Sequence, residues 1–335
     1  MIAETMPGRI GRVGLARDVG AGSSAPVWLV FGGVFAVAWL LVELNGGQFM
    51  TVDNLQNMAV RSVALGLVAV GQTIVLIGGS LDLSVAYMVS VTAVSASFVM
   101  QGDPDRMVLG VAVTLALGAL IGLGNGLIIT KLGVNAFIAT LGTSLMMSGV
   151  LNALFTNFTG SVPRQFQALG YNALGPVPVA VILLLAVVAL AWYVLRRTRF
   201  GYHLYAVGGS AEVARLSGVR TDRTVVLAHV LCSLTAVLTG LFLVSRLRSG
   251  APWVGPDGGY DLESIAAAVV GGTALAGGRG HVAGTLAGVL ILAVIDQVFN
   301  EFEVNAFLKT LIRGVIIVGA VALYALRSRR DEGSF

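Results

Sequence analysis

Charge is what this 335-residue chain has least of: Asp, Glu, Lys and Arg together make up 11% of it, where soluble domains carry about a quarter. A water-facing surface cannot be built at that density, so a soluble globular fold is excluded. Its single cysteine, Cys232, lies inside an apolar run, which excludes an intrachain disulfide and a cysteine metal cluster. The three histidines, His203, His229 and His281, lack ligand spacing and read as packing or interface residues, so no metal site is expected. Only two lysines occur, Lys131 after Thr130 and Lys309 after Leu308, and neither completes the Gly-Lys-Ser/Thr of a phosphate-binding loop. The chain is therefore not itself a P-loop ATPase. A membrane enzyme would need a convergent set of nucleophile, base or metal ligands, and these residues do not supply one.

What the chain has instead is apolar length. Hydrophobic residues make up 56% of it, and the mean hydropathy is +0.88. Runs of about 17 to 25 apolar residues span a bilayer as helices. Ten are expected here, at 26–45, 58–79, 84–101, 107–130, 135–155, 177–195, 224–245, 263–277, 281–299 and 305–326. The fold class is all-α, a polytopic transmembrane helical protein of about ten spans. The eighth run is short and glycine-rich, and the third starts beside Asp82.

The net charge of +4 does not point to nucleic acid, because the basic residues flank apolar runs, where the positive-inside rule accounts for them. With both termini cytoplasmic, fourteen of the 21 Lys and Arg residues fall inside and four outside, while Arg61, Lys309 and Arg313 lie within runs. Removing one crossing would move the basic N-terminus or the basic segment near 200 to the wrong side. The first run is about 20 residues long and lacks a signal-peptide cleavage site, so it is expected to be retained as a helix. The expected organisation is a cytoplasmic tail at 1–25, one membrane domain at 26–326 and a second tail at 327–335. No other segment is large enough for its own core.

The 44 glycines are concentrated in the runs. Gly118, Gly122 and Gly126 form overlapping small-xxx-small repeats, and Gly284 with Gly288 forms another; such spacing lets helices approach closely in lipid. Close packing within the chain and contact with a second copy both fit it.

The longest basic interruption is 196–223. In it Gly208-Gly209 is expected to break regular structure, Ser210 to cap a short helix, and Ser217-Gly218 to end it. Glu212 in the first turn and Arg215 in the last suit the helix dipole, and Val213 and Leu216 share a face. Two turns are marginal alone in water, so this helix is expected to pack on a partner or on the protein's own cytoplasmic surface.

This segment resembles the cytoplasmic coupling loop of ABC importer permeases, specifically the ribose-type sugar permeases. Three further blocks resemble the same family in order: Val70-Gly71-Gln72-Thr73 with Gly79-Ser80-Leu81-Asp82-Leu83-Ser84-Val85; Ala136-Phe137-Ile138-Ala139-Thr140-Leu141-Gly142; and Gly259-Tyr260-Asp261-Leu262-Glu263-Ser264 continuing to Gly271-Gly272-Thr273 and Gly277-Gly278-Arg279-Gly280. The likeness covers roughly 50–326. Ala86 and Val213 depart from the family pattern, at positions where glycine and alanine are usual. The resemblance implies a multi-pass permease of the bacterial inner membrane that works with three partners: a cytoplasmic ATP-binding subunit, an extracytoplasmic sugar-binding protein and a second permease, identical or paralogous. ATP and Mg would sit on the ATPase, and this chain would bind no cofactor. Gly208, Gly209, Glu212, Ala214, Arg215, Leu216, Ser217 and Gly218 would form the ATPase-coupling element. A secondary transporter is the competing class; it would more often carry paired inverted repeats, and no repeat is evident in the sequence. A branched-chain amino-acid permease is the nearest competitor within the ABC class.

Candidates for the translocation pathway are Gln72, Asp82, Ser84, Asn135, Phe137 and Thr140. Asp82 has two readings: a carboxylate that lines or gates the pathway, or a cap on the third span. Asn125, Asp296 and Gln297 are further polar residues in or near spans, whereas Arg61, Lys309 and Arg313 read as snorkelling or paired charges. Arg246, Arg248, Pro252, Trp253 and Asp257 sit in a loop expected to face outward, either as a seat for the binding protein or as an ordinary interfacial loop.

Overall fold

The computed structural model describes residues 24–305, 307–315 and 318–319. Within lipid every backbone polar group must be satisfied inside the chain, and helices are the local way to do so. The helices are α1 (Ala25–Leu44), α2 (Val52–Ile77), α3 (Val85–Met100), α4 (Met107–Lys131), α5 (Ala136–Leu154), α6 (Arg164–Tyr171), α7 (Val179–Arg197), α8 (Arg199–Gly209), α9 (Ala211–Leu216), α10 (Thr221–Leu247), α11 (Val254–Asp257), α12 (Tyr260–Val270) and α13 (Val282–Glu301), with residues 307–315 helical beyond them. A two-residue antiparallel ladder, Ala173–Leu174 with Val177–Pro178, closes the turn before α7.

Seven of these helices, α1, α2, α4, α5, α7, α10 and α13, are long and apolar enough to cross a membrane. The expected third and eighth spans are the shorter α3 and α12, of 16 and 11 residues. At 1.5 Å per residue they reach about 24 and 17 Å, less than the roughly 30 Å of hydrocarbon. The expected tenth span, 305–326, extends outside the described residues, as do both tails apart from Ser24 and Ala25.

Helix α2 is the axis of the molecule, with every residue from Ser62 to Ile77 buried. It packs on α10, α13, α12 and α7. Around it the structure shows a repeat that the sequence does not reveal. Two long central helices, α2 and α10, pack on each other; each is followed by a short helix (α3, α12) and then a long one (α4, α13), and these pack on the central helix of the other half. Thus α3 and α4 lie on α10, while α12 and α13 lie on α2. The sequence carries no evident repeat, and the two halves share an order of packing rather than a run of residues.

The small-residue stripes serve this packing within the chain. A Cβ on Gly122 would lie 2.7 Å from the His229 carbonyl and 2.8 Å from Val230 Cα, and one on Gly126 would lie 2.6 Å from Val226 Cα. Helices α4 and α10 therefore touch backbone to backbone. Gly284 and Gly288 do the same for α13 against Gly271 and Ala267 at the end of α12.

Candidate functional site

The site begins where α2 stops. Gly79 takes φ +74°, a left-handed conformation that glycine adopts without strain, and residues 78–84 turn inside the bundle before α3 begins. A turn buried in lipid-facing architecture needs internal partners for its backbone, and neighbouring side chains supply them. Thr140 on α5 accepts from Leu83 N at 3.1 Å through Oγ1. The Gln72 side chain lies against Asp82, and the amide orientation that satisfies both groups has its nitrogen donating to the Asp82 carbonyl at 3.2 Å and its oxygen accepting from Asp82 N at 3.3 Å.

The side chains of the turn continue into a polar chain across three helices. Asp82 is fully buried, and its Oδ1 accepts from Ser84 N at 2.8 Å and from Ser84 Oγ at 2.5 Å. Its Oδ2 lies 3.3 Å from Nδ1 of His229 on α10, also fully buried. His229 Nε2 pairs with Ser80 Oγ at 2.9 Å. From Ser84 the chain runs outward: Asn125 on α4 donates to Ser84 Oγ at 2.9 Å, and Thr143 on α5 donates to Asn125 Oδ1 at 2.7 Å. Asp82 thus holds Ser84, the residue that precedes α3, and anchors a buried network.

The basic segment meets the same turn from the other side. Helix α8 starts at Thr198, whose Oγ1 accepts from Gly201 N at 3.4 Å, and runs through Gly208 and Gly209. The expected break at Gly208-Gly209 is corrected: both residues are helical, and the chain breaks at Ser210. Gly208 is there for close approach. A Cβ on it would overlap the Ile77 carbonyl and lie 2.5 Å from Gly278 N. Gly278 N donates to Ile77 O at 2.9 Å, and a Cβ on Gly277 would lie 2.8 Å from Gly79 Cα. Three glycine pairs, 78–79, 208–209 and 277–278, therefore converge at the end of α2. Tyr205 locks the contact by donating to the Gly280 carbonyl at 2.7 Å. Burial raises the pKa of its phenol, with Arg196 opposing, so it remains a donor at neutral pH.

Helix α9 projects from this base as expected. Ser210 Oγ accepts from Val213 N at 3.3 Å, Glu212 and Arg215 occupy its first and last turns, and Gly218 leaves it at φ +83°. Ser217 Oγ donates to the Val213 carbonyl at 2.9 Å, closing the last turn. Ala214 is its buried anchor, whereas Val213 is 61% and Leu216 84% exposed. The apolar pair of α9 is thus displayed rather than packed on the protein's own surface.

Of the predicted pathway residues, Gln72, Asp82, Ser84 and Thr140 come together in the network. Asn135 and Phe137 do not: Asn135 Oδ1 caps α5 by accepting from Phe137 N at 2.9 Å, and both residues are exposed. Sequence reasoning missed His229, Ser80 and Thr143. His229 sits 147 positions from Asp82 in an apolar run, with no local spacing to mark it. The Arg246 and Arg248 guanidinium groups both stack on the Tyr171 ring at 5.3 Å, and Trp253 packs edge-on against Phe158, so that loop is braced against the segment before α7. Among the described residues no group of three or more His, Cys, Asp or Glu could hold a metal ion.

A family model described as the branched-chain amino acid transport system permease component matches residues 54–321. The ribose import permease protein RbsC of Escherichia coli K12 is 38% identical over 288 residues, covering 84% of this chain and 88% of that protein. RbsC of Bacillus subtilis is 36% identical over 300 residues, covering 88% and 91%. The galactose/methyl galactoside import permease protein MglC of Salmonella typhimurium is 32% identical over 328 residues, covering 91% and 97%. No solved structure matches the chain. A family match over most of the sequence and relatives aligned over nearly their full length agree with the multi-pass helical fold, and the chain belongs to this family of transport-system permease components.

Proposed function

We propose that the chain is the membrane permease subunit of an ATP-driven importer, and that it carries a monosaccharide or related small polar solute. Relatives named for ribose and galactose support a sugar over a branched-chain amino acid. On this reading it works in the bacterial inner membrane with about ten spans and both termini cytoplasmic. A cytoplasmic ATP-binding subunit holds ATP and Mg, an extracytoplasmic binding protein delivers the solute, and a second permease copy, identical or paralogous, completes the pathway.

The observation that carries the mechanism is the seating of α8 and α9. The exposed Val213 and Leu216 offer α9 to the ATPase, and Gly208 seats its base against the end of α2 without space between them. Displacing α9 then displaces the 78–84 turn and the 271–281 loop as one body. Gly208, Gly209, Glu212, Ala214, Arg215, Leu216, Ser217 and Gly218 form the coupling element; Gln72, Asp82, Ser84, Asn135, Phe137 and Thr140 belong to the pathway, with Gln72, Asp82, Ser84 and Thr140 meeting at the turn. A repeated order of packing also fits a secondary transporter, so the energy source is the discriminating measurement. In proteoliposomes with the ATPase and binding protein, uptake of D-ribose or D-galactose should require ATP and survive collapse of proton and sodium gradients. Gradient-driven uptake without ATP would overturn the reading.

A further inference from the structure

A cavity of about 350 Å³ opens between α2, the start of α12, α13 and the helical stretch 307–315. It occupies the place in the second half of the repeat that the buried network occupies in the first, where a short helix begins against the other half's central helix. Its chemistry is different. Three cations line it, Arg61, Lys309 and Arg313, and three acids, Asp257, Glu263 and Asp296. Arg313 Nη1 donates to Glu263 Oε1 at 2.5 Å, and Nη2 and Nε donate to the two Asp296 oxygens at 2.7 and 3.2 Å. Lys309 donates to Asn300 Oδ1 at 2.7 Å, whereas Arg61 makes no hydrogen bond among the described residues.

An ion pair that serves only to hold helices together is best closed off, as Asp82 and His229 are at 0% exposure. Here the partners remain open, with Arg313 at 35%, Asp296 at 36% and Glu263 at 17%. Charges within a membrane domain are costly, and those left open to a cavity point to a functional site. The signs cancel, so neither a cation nor an anion meets a net opposite field. A neutral molecule rich in hydroxyls meets a full set of complements: carboxylates and amide oxygens to accept from it, guanidinium and amide N–H groups to donate to it, and the Tyr260 ring for its C–H face. Gln297 and Asn300 supply the amides. The volume lies at the lower end of ligand pockets, about 300 to 1,000 Å³, which suits one sugar ring rather than a longer saccharide.

We propose that this cavity is a binding site within the chain for a single small neutral polyol, a monosaccharide in transit, with Arg313, Asp296 and Glu263 holding its hydroxyls. The proposal rests on the sugar-permease reading and adds to it a place and a set of ligating groups. Cys232 is the only native thiol and is fully buried, so a cysteine placed on the cavity wall can be followed alone. Ala293→Cys changes one small wall residue. In proteoliposomes holding the complete transporter, saturating D-ribose or D-galactose, whichever the complex takes up, should slow maleimide labelling of that thiol at least threefold. Sodium sulfate and free arginine at the same concentration should not. Adding Arg313→Gln should abolish the protection and raise the KM for uptake about tenfold with little change in kcat; Gln297→Ala, outside the ion triad, should weaken protection in the same sense. An unchanged labelling rate in a complex that takes up the sugar overturns the cavity site and leaves the sugar-permease reading standing. ATP-dependent uptake of neither sugar nor any other monosaccharide overturns both.

Discussion

Replacing His229 with leucine removes one partner from a carboxylate that has no access to water. Leaving a buried carboxylate without its partner costs about 3–5 kcal/mol. The low end applies here, because the 3.3 Å separation is long and Ser84 still serves Oδ1 through two hydrogen bonds. The substitution also strands the Ser80 hydroxyl, which loses its 2.9 Å contact with Nε2, at a further cost of about 1 kcal/mol. The expected loss is about 4 kcal/mol, and at roughly 2–4 °C per kcal/mol the melting temperature falls by about 8–16 °C. The sole thiol provides the readout. Cys232 lies one helical turn from His229 at 0% exposure, so a thiol-reactive dye in detergent reports the opening of α10. Asp82→Asn keeps an oxygen to cap Ser84 N and should cost less, about 1 kcal/mol, because no buried charge is left behind. Asp82→Asn with His229→Leu should lose less than the two single losses combined, by about 1–3 kcal/mol, since the first change removes the charge that the second would strand. A His229→Leu protein melting within 2 °C of wild type, or a double mutant losing the full sum, would refute the coupling.

Two further outcomes follow from the basic segment. Glu212→Ala with Leu216→Ala should reduce co-purification of the ATPase and lower uptake while the protein still inserts in the membrane; normal association and transport would show that α9 is not the docking element. Gly208→Val places methyl groups against the Ile77 carbonyl and Gly278 N, backbone atoms that cannot rotate away, and should destabilise by about 1–3 kcal/mol. Its neighbour provides the control, since a Cβ on Gly209 meets nothing within 4 Å and Gly209→Ala should melt as wild type.

The long helices were legible because lipid forces one solution on any apolar run of sufficient length, and α9 was legible because caps act within a few residues. Ser210, Glu212 and Gly218 each do in the structure what their local chemistry predicts. The double glycine at 208–209 misled for an instructive reason. Propensity treats glycine as a helix breaker, worth about 1 kcal/mol against alanine, yet here the missing side chain is what admits the Ile77 carbonyl. Tertiary packing outweighs that cost and carries α8 to its end. The network was half legible. Asp82 and Gln72 stand out as polar residues in apolar surroundings, but His229 becomes meaningful only once the Gly122 and Gly126 stripe brings α4 against α10 and places the 78–84 turn beside it. The repeat left no trace because its halves kept the packing order and exchanged the chemistry, a sealed Asp–His pair in one and an open Arg–carboxylate cluster in the other.

That exchange bears on how a push at α9 could reach the far end of the molecule. The base of α8 touches two breaks at once: the 78–84 turn, which ends α2, and the 271–281 loop, which joins α12 to α13. The first break carries Asp82 and is tied to α10 through His229. The second lies between helices that carry Glu263 and Asp296 on the cavity wall. Both breaks are rich in glycine, so their backbones can change conformation, while α2 and α10 are packed along most of their length and move as rods. A displacement at α9 would therefore pass through the two breaks rather than bend the central helices. It would also shift α3 and α12 together, the two helices too short to be held by lipid at both ends. If α9 is the docking helix, the carboxylates at the starts of α3 and α12 are the groups whose surroundings change first, one in a sealed network and the other in an open cavity.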